Sequence, residues 1–223
     1  MKNFFCLLPV VFCMCITMTA CNQDMSNYLR SHISEKCDTY FVGETNDFYV
    51  DLFSGLREKT YKLDGVSTEL VPYTIVSVKC KSDLKFDELQ YCVEVEDKTY
   101  EGAFSQNPYD GSLQADLGVA VGSSESVYVY VKFSDTTEVA TLKCVSKDFL
   151  VGPDTVLDIA VDEVLAQNVD LQPSKTYECF VQVLNKDNAT NLYFWLVNIV
   201  SSEGEIYTII VDTGTGQVLA KKL

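Results

Sequence analysis

Two positions carry side chains that hydrolytic enzymes use. Asp212 stands in Asp212-Thr213-Gly214 after an apolar run, and a carboxylate so placed can share a proton with a second carboxylate and activate water. The pattern occurs once and only nine residues follow Gly214, so we interpret Asp212 as part of a hairpin turn. His32 is the only histidine and the one imidazole base that could activate a serine or cysteine. We predict that it is a surface residue.

Other patterns that carry chemistry are weak or missing from the sequence. The carboxylate pairs Glu94/Glu96 and Asp158/Asp162 have little weight in a chain with 32 Asp and Glu. One histidine cannot build a histidine-based zinc site, and the cysteines after Cys21 are too far apart for a metal cluster. No calcium-loop or phosphate-loop pattern is found. We therefore predict that the protein is not an enzyme and has no catalytic residue, metal or cofactor.

The first 21 residues have the layout of an export signal. Lys2 precedes an apolar run from Phe4 to Ala20, and Cys21 follows directly. The segment resembles the lipobox signal of bacterial lipoproteins. The resemblance implies that residues 1–20 are removed as a signal peptide and that the Cys21 thiol is lipidated. It also implies a lipid-anchored protein at the cell membrane, facing outside the cytoplasm. A cleaved but unlipidated secreted protein is the alternative.

The chain left after cleavage is strongly acidic. Removal of residues 1–20 takes away Lys2 and no acid, which leaves 16 Lys and Arg against 32 Asp and Glu, a formal charge of −16. Because nucleic-acid binding needs clustered Lys and Arg, we predict that nucleic acid is not a partner. We expect contact with the membrane through the lipid anchor only.

Of the nine cysteines, Cys6, Cys13 and Cys15 leave with the signal peptide and Cys21 is set aside. Five remain: Cys37, Cys80, Cys92, Cys144 and Cys179. An odd number leaves at least one thiol free or paired outside the chain. An exported location permits disulfides, and Cys80 with Cys92 on neighbouring predicted strands is the pair that we predict. The alternative is that all five are reduced and mostly buried as small hydrophobic residues.

Short alternating runs dominate residues 41–148. In Ser126–Phe133, valines and Phe133 alternate with tyrosines and a lysine, which is the period of a half-buried strand. Further strands are predicted at Phe48–Phe53 with a turn at Ser54-Gly55, at Lys59–Leu63 with a turn at Asp64-Gly65, and at Tyr73–Cys80, Leu89–Val95, Leu113–Val121 and Glu138–Val145. About seven or eight such strands predict an N-terminal antiparallel β-sandwich of immunoglobulin-like size.

The segment before this sandwich, residues 21–40, is predicted to follow the lipid anchor and to contain a short helix over Asn22–Asp38. Met25, Tyr28 and Leu29 recur there at helical spacing. The chain from Phe41-Val42-Gly43-Glu44-Thr45 to Asp64-Gly65 is also similar to lipoproteins of Gram-positive gut bacteria. That similarity implies a location and no activity.

The pattern changes to a helix and further strands over residues 152–223. After the break at Gly152-Pro153, with Asp154 or Thr155 as N-cap, apolar residues at helical spacing predict a helix that ends near Asn168. Strands are then predicted at Thr176–Leu184, Leu192–Val200, Ile206–Val211 and Gln217–Ala220. A helix followed by an antiparallel meander is an α+β unit, so the whole chain is predicted to be mainly β with an α+β part.

The end of this unit carries a second resemblance. Val211, Asp212, Thr215, Gly216 and Val218 match a Val-Asp-x-x-Thr-Gly-x-Val hairpin, and this resembles the closing hairpin of PepSY and related cystatin-like modules. The resemblance implies a PepSY-like domain on an exported bacterial protein and a role in inhibition or local regulation of peptidases. It implies no catalytic residues.

The predicted strand Leu192–Val200 is apolar on both faces. One face must cover the helix, and the other needs the first domain or a partner to cover it. We predict a binding surface on the face with these residues: Tyr193, Trp195, Val197 and Ile199. Contact of that face with the first domain is the alternative.

The sequence as a whole predicts a non-enzymatic extracytoplasmic lipoprotein that binds or regulates an exported protein of the cell envelope, with a peptidase as one candidate partner. The alternative is a cell-surface adhesin or glycan-binding module in which Tyr91, Tyr128 and Tyr130 stack on sugars. A hydrolase that uses Asp212 or His32 is a third hypothesis.

Overall fold

Most of the described chain is extended. The computed structural model describes residues 25–59, 68–82, 88–108, 111–167, 171, 176–185 and 191–222. The fold is mainly β, and its strands pair almost throughout in antiparallel fashion. The strands are β1 Ile33–Glu44, β2 Phe48–Glu58, β3 Leu70–Cys80, β4 Gln90–Val95, β5 Lys98–Ala103, β6 Ser105–Gln106, β7 Leu113–Leu117, β8 Val127–Phe133, β9 Thr136–Cys144, β10 Tyr177–Asn185, β11 Tyr193–Ser201, β12 Ile206–Asp212 and β13 Val218–Lys222.

Helical structure is short in the described residues. The α-helix that we call α1 spans Pro153–Ala166, and Ser146–Asp148 form one turn of 3₁₀ helix. Residues 25–30 are also helical. Helix α1 begins at the N-cap Gly152 with a proline in the first turn, so the predicted N-caps Asp154 and Thr155 are wrong. Proline fits this position because the first N–H groups of a helix have no intrahelical partner.

The strands join in the order β13-β12-β11-β10-β1-β2-β3-β7-β6, and a branch β9-β8-β4-β5 leaves from β1. Strand β1 pairs with β2 along its length. On its other edge it pairs in parallel with β10 from Ile33 to Lys36, and in antiparallel fashion with β9 at Phe41 and Val42. One strand therefore belongs to two hydrogen-bonded assemblies.

The first core lies inside a barrel-like part of the sheet. Strands β2, β3 and β7 face β4, β8 and β9 across it, and the branch through β9 bends the sheet back on itself. Phe48, Val76, Val93 and Val129 are buried there, each from an alternating strand. Alternation places every second side chain inward, which is why valine-rich strands can line both walls.

The second core lies between the meander β10–β13 and helix α1. Val156, Leu157, Ala160, Val161 and Val164 form the buried face of α1. Met25, Leu29 and Cys37, from the start of the described chain, are buried in the same core. The side chain of Asp158 on α1 accepts a hydrogen bond from Ser26 Oγ at 2.5 Å and forms an ion pair with Arg30. The chain before residue 40 therefore packs with the chain after residue 150.

Several predicted elements are confirmed. Strands β3, β4, β8 and β9 match their predicted ranges to within a few residues, as do α1 and the four strands of the meander. Strand β7 ends at Leu117, short of the predicted Val121. Strands β1, β5 and β6 were not predicted, because they are polar and show no clear alternation.

Two predictions near the start of the chain are wrong. The helix predicted over Asn22–Asp38 is present in residues 25–30, but from Ile33 the chain is strand β1, since the backbone there hydrogen-bonds to β2 and β10. The turn predicted at Ser54-Gly55 lies within the continuous strand β2. Predicted elements at residues 60–67 and 22–24 lie outside the described residues.

Gly55 allows β1 and β2 to approach each other at an irregular position. The register of β1 shifts between Cys37 and Thr39, opposite Gly55 and Ser54, and a Cβ atom on Gly55 would lie 1.9 Å from the carbonyl oxygen of Lys36. That atom is backbone, so relieving the overlap requires the two strands to separate. The glycine is needed for close approach.

We therefore expect Gly55→Ala to lower the free energy of unfolding by about 3 kcal/mol, the upper range for steric overpacking. Urea denaturation of the purified chain measures this. Gly118→Ala is the matched control, because a Cβ there meets no atom within 4 Å. Equal stability of the two variants would contradict the assigned contact between β1 and β2.

Candidate functional site

The two predicted catalytic candidates have structural contacts. Asp212 Oδ1 accepts hydrogen bonds from the backbone N–H of Gly214 at 3.1 Å, the N–H of Thr215 at 2.7 Å and the Thr215 hydroxyl at 2.8 Å. Gly216 follows with φ of +74°, which favours glycine. These bonds close the connection between β12 and β13, so the prediction of a hairpin turn is confirmed.

His32 lies directly after the helical residues 25–30. Its ring stacks on Tyr28 with 4.1 Å between ring centres, and Nδ1 lies 2.8 Å from the Tyr28 carbonyl oxygen. The Ser31 hydroxyl donates to the same carbonyl at 2.7 Å. Both side chains thus contact a carbonyl group at a helix end, where backbone acceptors need partners. His32 is half-buried, so it is less exposed than the solvated surface histidine that we predicted.

The carboxylate pairs are not arranged as catalytic dyads. Glu94 accepts a hydrogen bond from the Tyr130 hydroxyl at 2.9 Å, whereas Glu96 has a φ of 51° in the tight turn between β4 and β5. Asp158 is engaged with Ser26 and Arg30, as described above. In the part of the chain that the structure describes, no three His, Cys, Asp or Glu side chains gather in a way that could hold a metal ion.

The described cysteines are free thiols, and Cys80 and Cys92 do not form the predicted disulfide. Their strands β3 and β4 do not pair with each other. Cys80 packs against the first core, whereas Cys92 points to the opposite face of β4 and lies across from Glu101 and Tyr130. The two thiols therefore project to different sides of the barrel wall.

Cys37 and Cys179 are buried in the second core. Burial raises the pKa of Cys179 to about 12, and burial with the nearby Asp38 and Glu35 carboxylates raises the pKa of Cys37 as well. Since the thiolate is the reactive form, both side chains are poor nucleophiles at neutral pH.

The predicted binding surface lies inside the molecule. Trp195, Val197 and Ile199 are buried beneath α1, and the Trp195 indole N–H donates a hydrogen bond to the Val151 carbonyl at 2.7 Å. Tyr193 is half-buried at the end of the same face. The assignment was wrong because β11 is apolar on both faces, and alternation separates the two faces without telling which one the helix covers.

The opposite side of the meander is the one left open. Its apolar side chains project away from α1, because each alternates along its strand with a residue of the second core. They form what we call the outer meander face: Phe180, Leu184, Phe194, Leu196, Val200, Ile206 and Ile210. Ile206 is 52% exposed and Leu184 37%, and the others are half-buried. Monomeric soluble proteins rarely expose contiguous apolar patches. A patch of this kind therefore indicates an interaction site.

The polar groups in the two central rows of the outer meander face are neutral, whereas the acidic side chains Glu178 and Asp212 lie in its two outer rows. The Thr208 hydroxyl donates to Asn198 Oδ1 at 2.8 Å across β11 and β12. At the border with β1, Gln182 Nε2 and the Tyr73 hydroxyl both donate to Glu35 Oε1, at 2.9 and 3.0 Å. The face therefore combines apolar side chains with a neutral, hydrogen-bonded Asn198–Thr208 pair at its centre and has a polar border, and protein interfaces also have a polar rim.

The three tyrosines of the glycan-binding alternative do not share a surface. Tyr91 points inward and packs on Phe104, with 5.3 Å between ring centres, against the first core. Tyr128, which is 39% exposed, and Tyr130 lie on the outer side of β8. Two of the three can therefore meet one ligand. Alternation along each strand does not by itself tell whether Tyr91 and Tyr128 lie on the same face of the sheet. The pairing of β4 with β8 is needed to decide this.

Cys21 and the signal segment lie outside the described residues, so lipidation stays a prediction. Among the helices that the structure describes, none is long and apolar enough to cross a membrane.

Comparison of the chain with protein-family models, with curated proteins and with solved structures found no match.

Trp195 and Leu196 test which side of β11 is covered. We expect Trp195→Ala to lower the free energy of unfolding by about 3–5 kcal/mol, because it opens a cavity and removes the hydrogen bond to Val151. Leu196→Ala, the neighbour on the outer meander face, is expected to cost about 1 kcal/mol or less. Urea denaturation measures both. A smaller loss for Trp195→Ala than for Leu196→Ala would show that α1 covers the other face.

Proposed function

We propose that this protein is a non-enzymatic, lipid-anchored extracytoplasmic protein that binds or regulates an exported protein through the outer meander face. The observation that carries the proposal is the open apolar side of the meander, opposite the side that α1 covers. In a sheet with one solvated face, polar side chains normally occupy that face. Here phenylalanine, leucine, valine and isoleucine make up most of it, beside the neutral polar residues Gln182, Asn198 and Thr208.

The composition of the outer meander face supports a protein ligand. Across β10, β11 and β12 the two central rows are Phe180-Asn198-Thr208 and Gln182-Leu196-Ile210, and all six residues are neutral. Interface centres are depleted in charged residues and enriched in aromatic ones. Full burial of a leucine, isoleucine or phenylalanine side chain contributes about 1.5–3 kcal/mol to the free energy of association. A few of these residues could therefore anchor a complex.

The domain division and the family resemblance are part of the proposal. We propose a β-sandwich domain over residues 41–148 and a PepSY-like domain over 152–223, after a lipid-anchored segment at 21–40. The second domain is supported by the order of its elements along the chain, in which the four-stranded meander follows α1 and the turn at Asp212 joins the last two strands. Because PepSY-like modules are associated with control of peptidases, an exported peptidase is the partner that we propose to test first.

A photo-reactive amino acid in place of Leu196, installed in the full chain in its native cell envelope, tests the partner. We expect a crosslink to one exported protein, and we expect Leu196→Asp to weaken its binding at least tenfold, because a charge would be buried in the contact. A photo-reactive residue in place of Val139 and the Val139→Asp variant are the controls, since Val139 is 48% exposed on the distant strand β9.

The activity of the captured protein then decides between binding and regulation. If it is a peptidase, its turnover should change on addition of the chain and return to its basal rate with Leu196→Asp. Equal crosslinking from positions 196 and 139, or a complex that survives Leu196→Asp with unchanged affinity, would contradict the outer meander face as the binding surface. Point variants are preferable to deleting residues 152–223, because that deletion removes the partner of β1.

The lipid anchor at Cys21 is tested by labelling growing cells with an alkynyl or radioactive palmitate. We expect label in the wild-type chain and in Cys80→Ser, but none in Cys21→Ser, because the resemblance assigns the acyl chains to Cys21 alone. Cys21→Ser should also move the protein from the membrane fraction, since two acyl chains are needed for stable anchoring. Label that persists in Cys21→Ser would contradict the lipoprotein assignment.

A further inference from the structure

A second surface of the molecule has the features of a small-ligand site and plays no part in the function proposed above. A cleft of about 360 Å³ opens between the β1–β2 hairpin and the ends of β10 and β11. We call it the seam cleft, and its chemistry is carried by Glu44, Tyr49, Asp51, Asn185, Asn191 and Tyr193. Its volume falls in the range of small-molecule sites, about 300–1,000 Å³.

The topology of β1 explains why a gap exists at this place. Strand β1 pairs with β10 from Ile33 to Lys36 and then with β9 at Phe41 and Val42. Beyond the β1–β10 ladder, β10 and β11 run on beside β1 and β2 up to Asn185 and Tyr193, and side-chain hydrogen bonds replace strand pairing there. Two separately cored parts of the molecule thus face each other across the cleft.

The aromatic side chains of the seam cleft are held in place before any ligand binds. The ring of Tyr193 contacts Tyr40 and Phe149, each with 5.8 Å between ring centres. The Tyr193 hydroxyl donates to Asn191 Oδ1 at 3.2 Å. On the other side, Tyr49 is contacted by Lys81, whose Nζ lies 4.9 Å from the ring centre. Fixed side chains lower the entropy cost of binding.

Charge in the seam cleft argues against a cationic ligand. Lys81 Nζ donates to Glu44 Oε2 at 2.8 Å and to the Thr45 carbonyl at 2.7 Å while it lies over Tyr49. The chain's own ammonium group therefore occupies the carboxylate and the aromatic ring that a ligand ammonium would use. Asp51 is the other acidic side chain of the lining, and no lining residue is basic, so an anionic ligand is disfavoured as well.

The other polar groups of the lining include both donors and acceptors. Asp51 presents carboxylate oxygens, and Asn191 presents an amide that can donate and accept. Asn185 is hydrogen-bonded to the Tyr40 hydroxyl, whose pKa is raised by burial and by the nearby Asp51, so that the hydroxyl stays protonated. Hydroxyl groups on a ligand both donate and accept, which suits this mixture. The carbon face of a sugar ring suits the Tyr193 side chain, which combines an apolar ring with a polar tip.

We propose that the seam cleft binds a neutral, hydroxyl-rich ligand, a saccharide, with Asp51 and Asn191 contacting hydroxyl groups and Tyr193 contacting the ring. The cleft admits one or two sugar rings, and a single ring at about 0.3 kcal/mol per non-hydrogen atom has a Kd on the order of 1 mM. The site is separate from the outer meander face, so its variants should leave capture of the exported partner unchanged.

Saccharide binding by the purified full chain is measured by ligand-detected NMR. The probes are glucose, galactose, mannose, N-acetylglucosamine and their β-linked disaccharides, and an array of polymeric glycans then distinguishes a free sugar from a glycan terminus as the source. We expect at least one neutral sugar to bind, and we expect Asp51→Asn to weaken binding at least tenfold with an unchanged melting temperature. Tetramethylammonium, as a cationic probe, should not compete.

Two further variants keep the test decisive. Asn191→Gly removes the amide, and glycine tolerates the φ of 50° at this position, so binding should weaken without loss of fold even if Asp51→Asn is unstable. Tyr128→Ala, on the outer side of β8, is the control and should bind as the wild type does. The proposal is overturned if no probe binds, if tetramethylammonium alone binds, or if binding is lost in Tyr128→Ala but kept in Asp51→Asn and Asn191→Gly.

Discussion

Backbone hydrogen bonding along β1 joins the two halves of this protein. One edge of the strand is satisfied by β2 over its length, and the other edge is shared between β10 and β9. Because buried backbone groups need partners, neither half can leave β1 without exposing unpaired N–H and C=O groups. The irregular register opposite Gly55 lets the strand serve both neighbours.

The two cores follow from this shared strand. The first lies inside the barrel-like sheet, and the second lies under α1, where residues 25–37 pack with residues that follow them by more than a hundred positions. A meander has two faces and α1 covers only one, so the apolar side chains on the other face stay open. The seam cleft arises from the same topology, since β10 and β11 continue past the point where β1 changes partner.

Local sequence patterns correctly predicted the elements that are formed mostly by interactions between residues close together in the chain. Strand β8 alternates valine with polar residues, α1 has an apolar stripe, and the turn at Asp212 has residues that hydrogen-bond to their own backbone. Strand β1 was missed, and part of it was predicted as helix, because its first half is polar without clear alternation and two of its three partners, β9 and β10, lie far away in the sequence. In β11 the alternation gave the correct two faces, but the choice of the buried face depends on where α1 packs.

The sequence by itself determined that the chain is mainly β, that a helix and a meander follow residue 152, and that Asp212 belongs to a turn. These depend on interactions within a few residues, so the order of residue types is sufficient to predict them. Only the tertiary structure decided that Trp195 is buried, that Cys80 and Cys92 project to different sides, and that Asp51, Asn191 and Tyr193 line one cleft. Each of these depends on which distant segments β1 and α1 meet, and a single sequence holds no local signal for that choice.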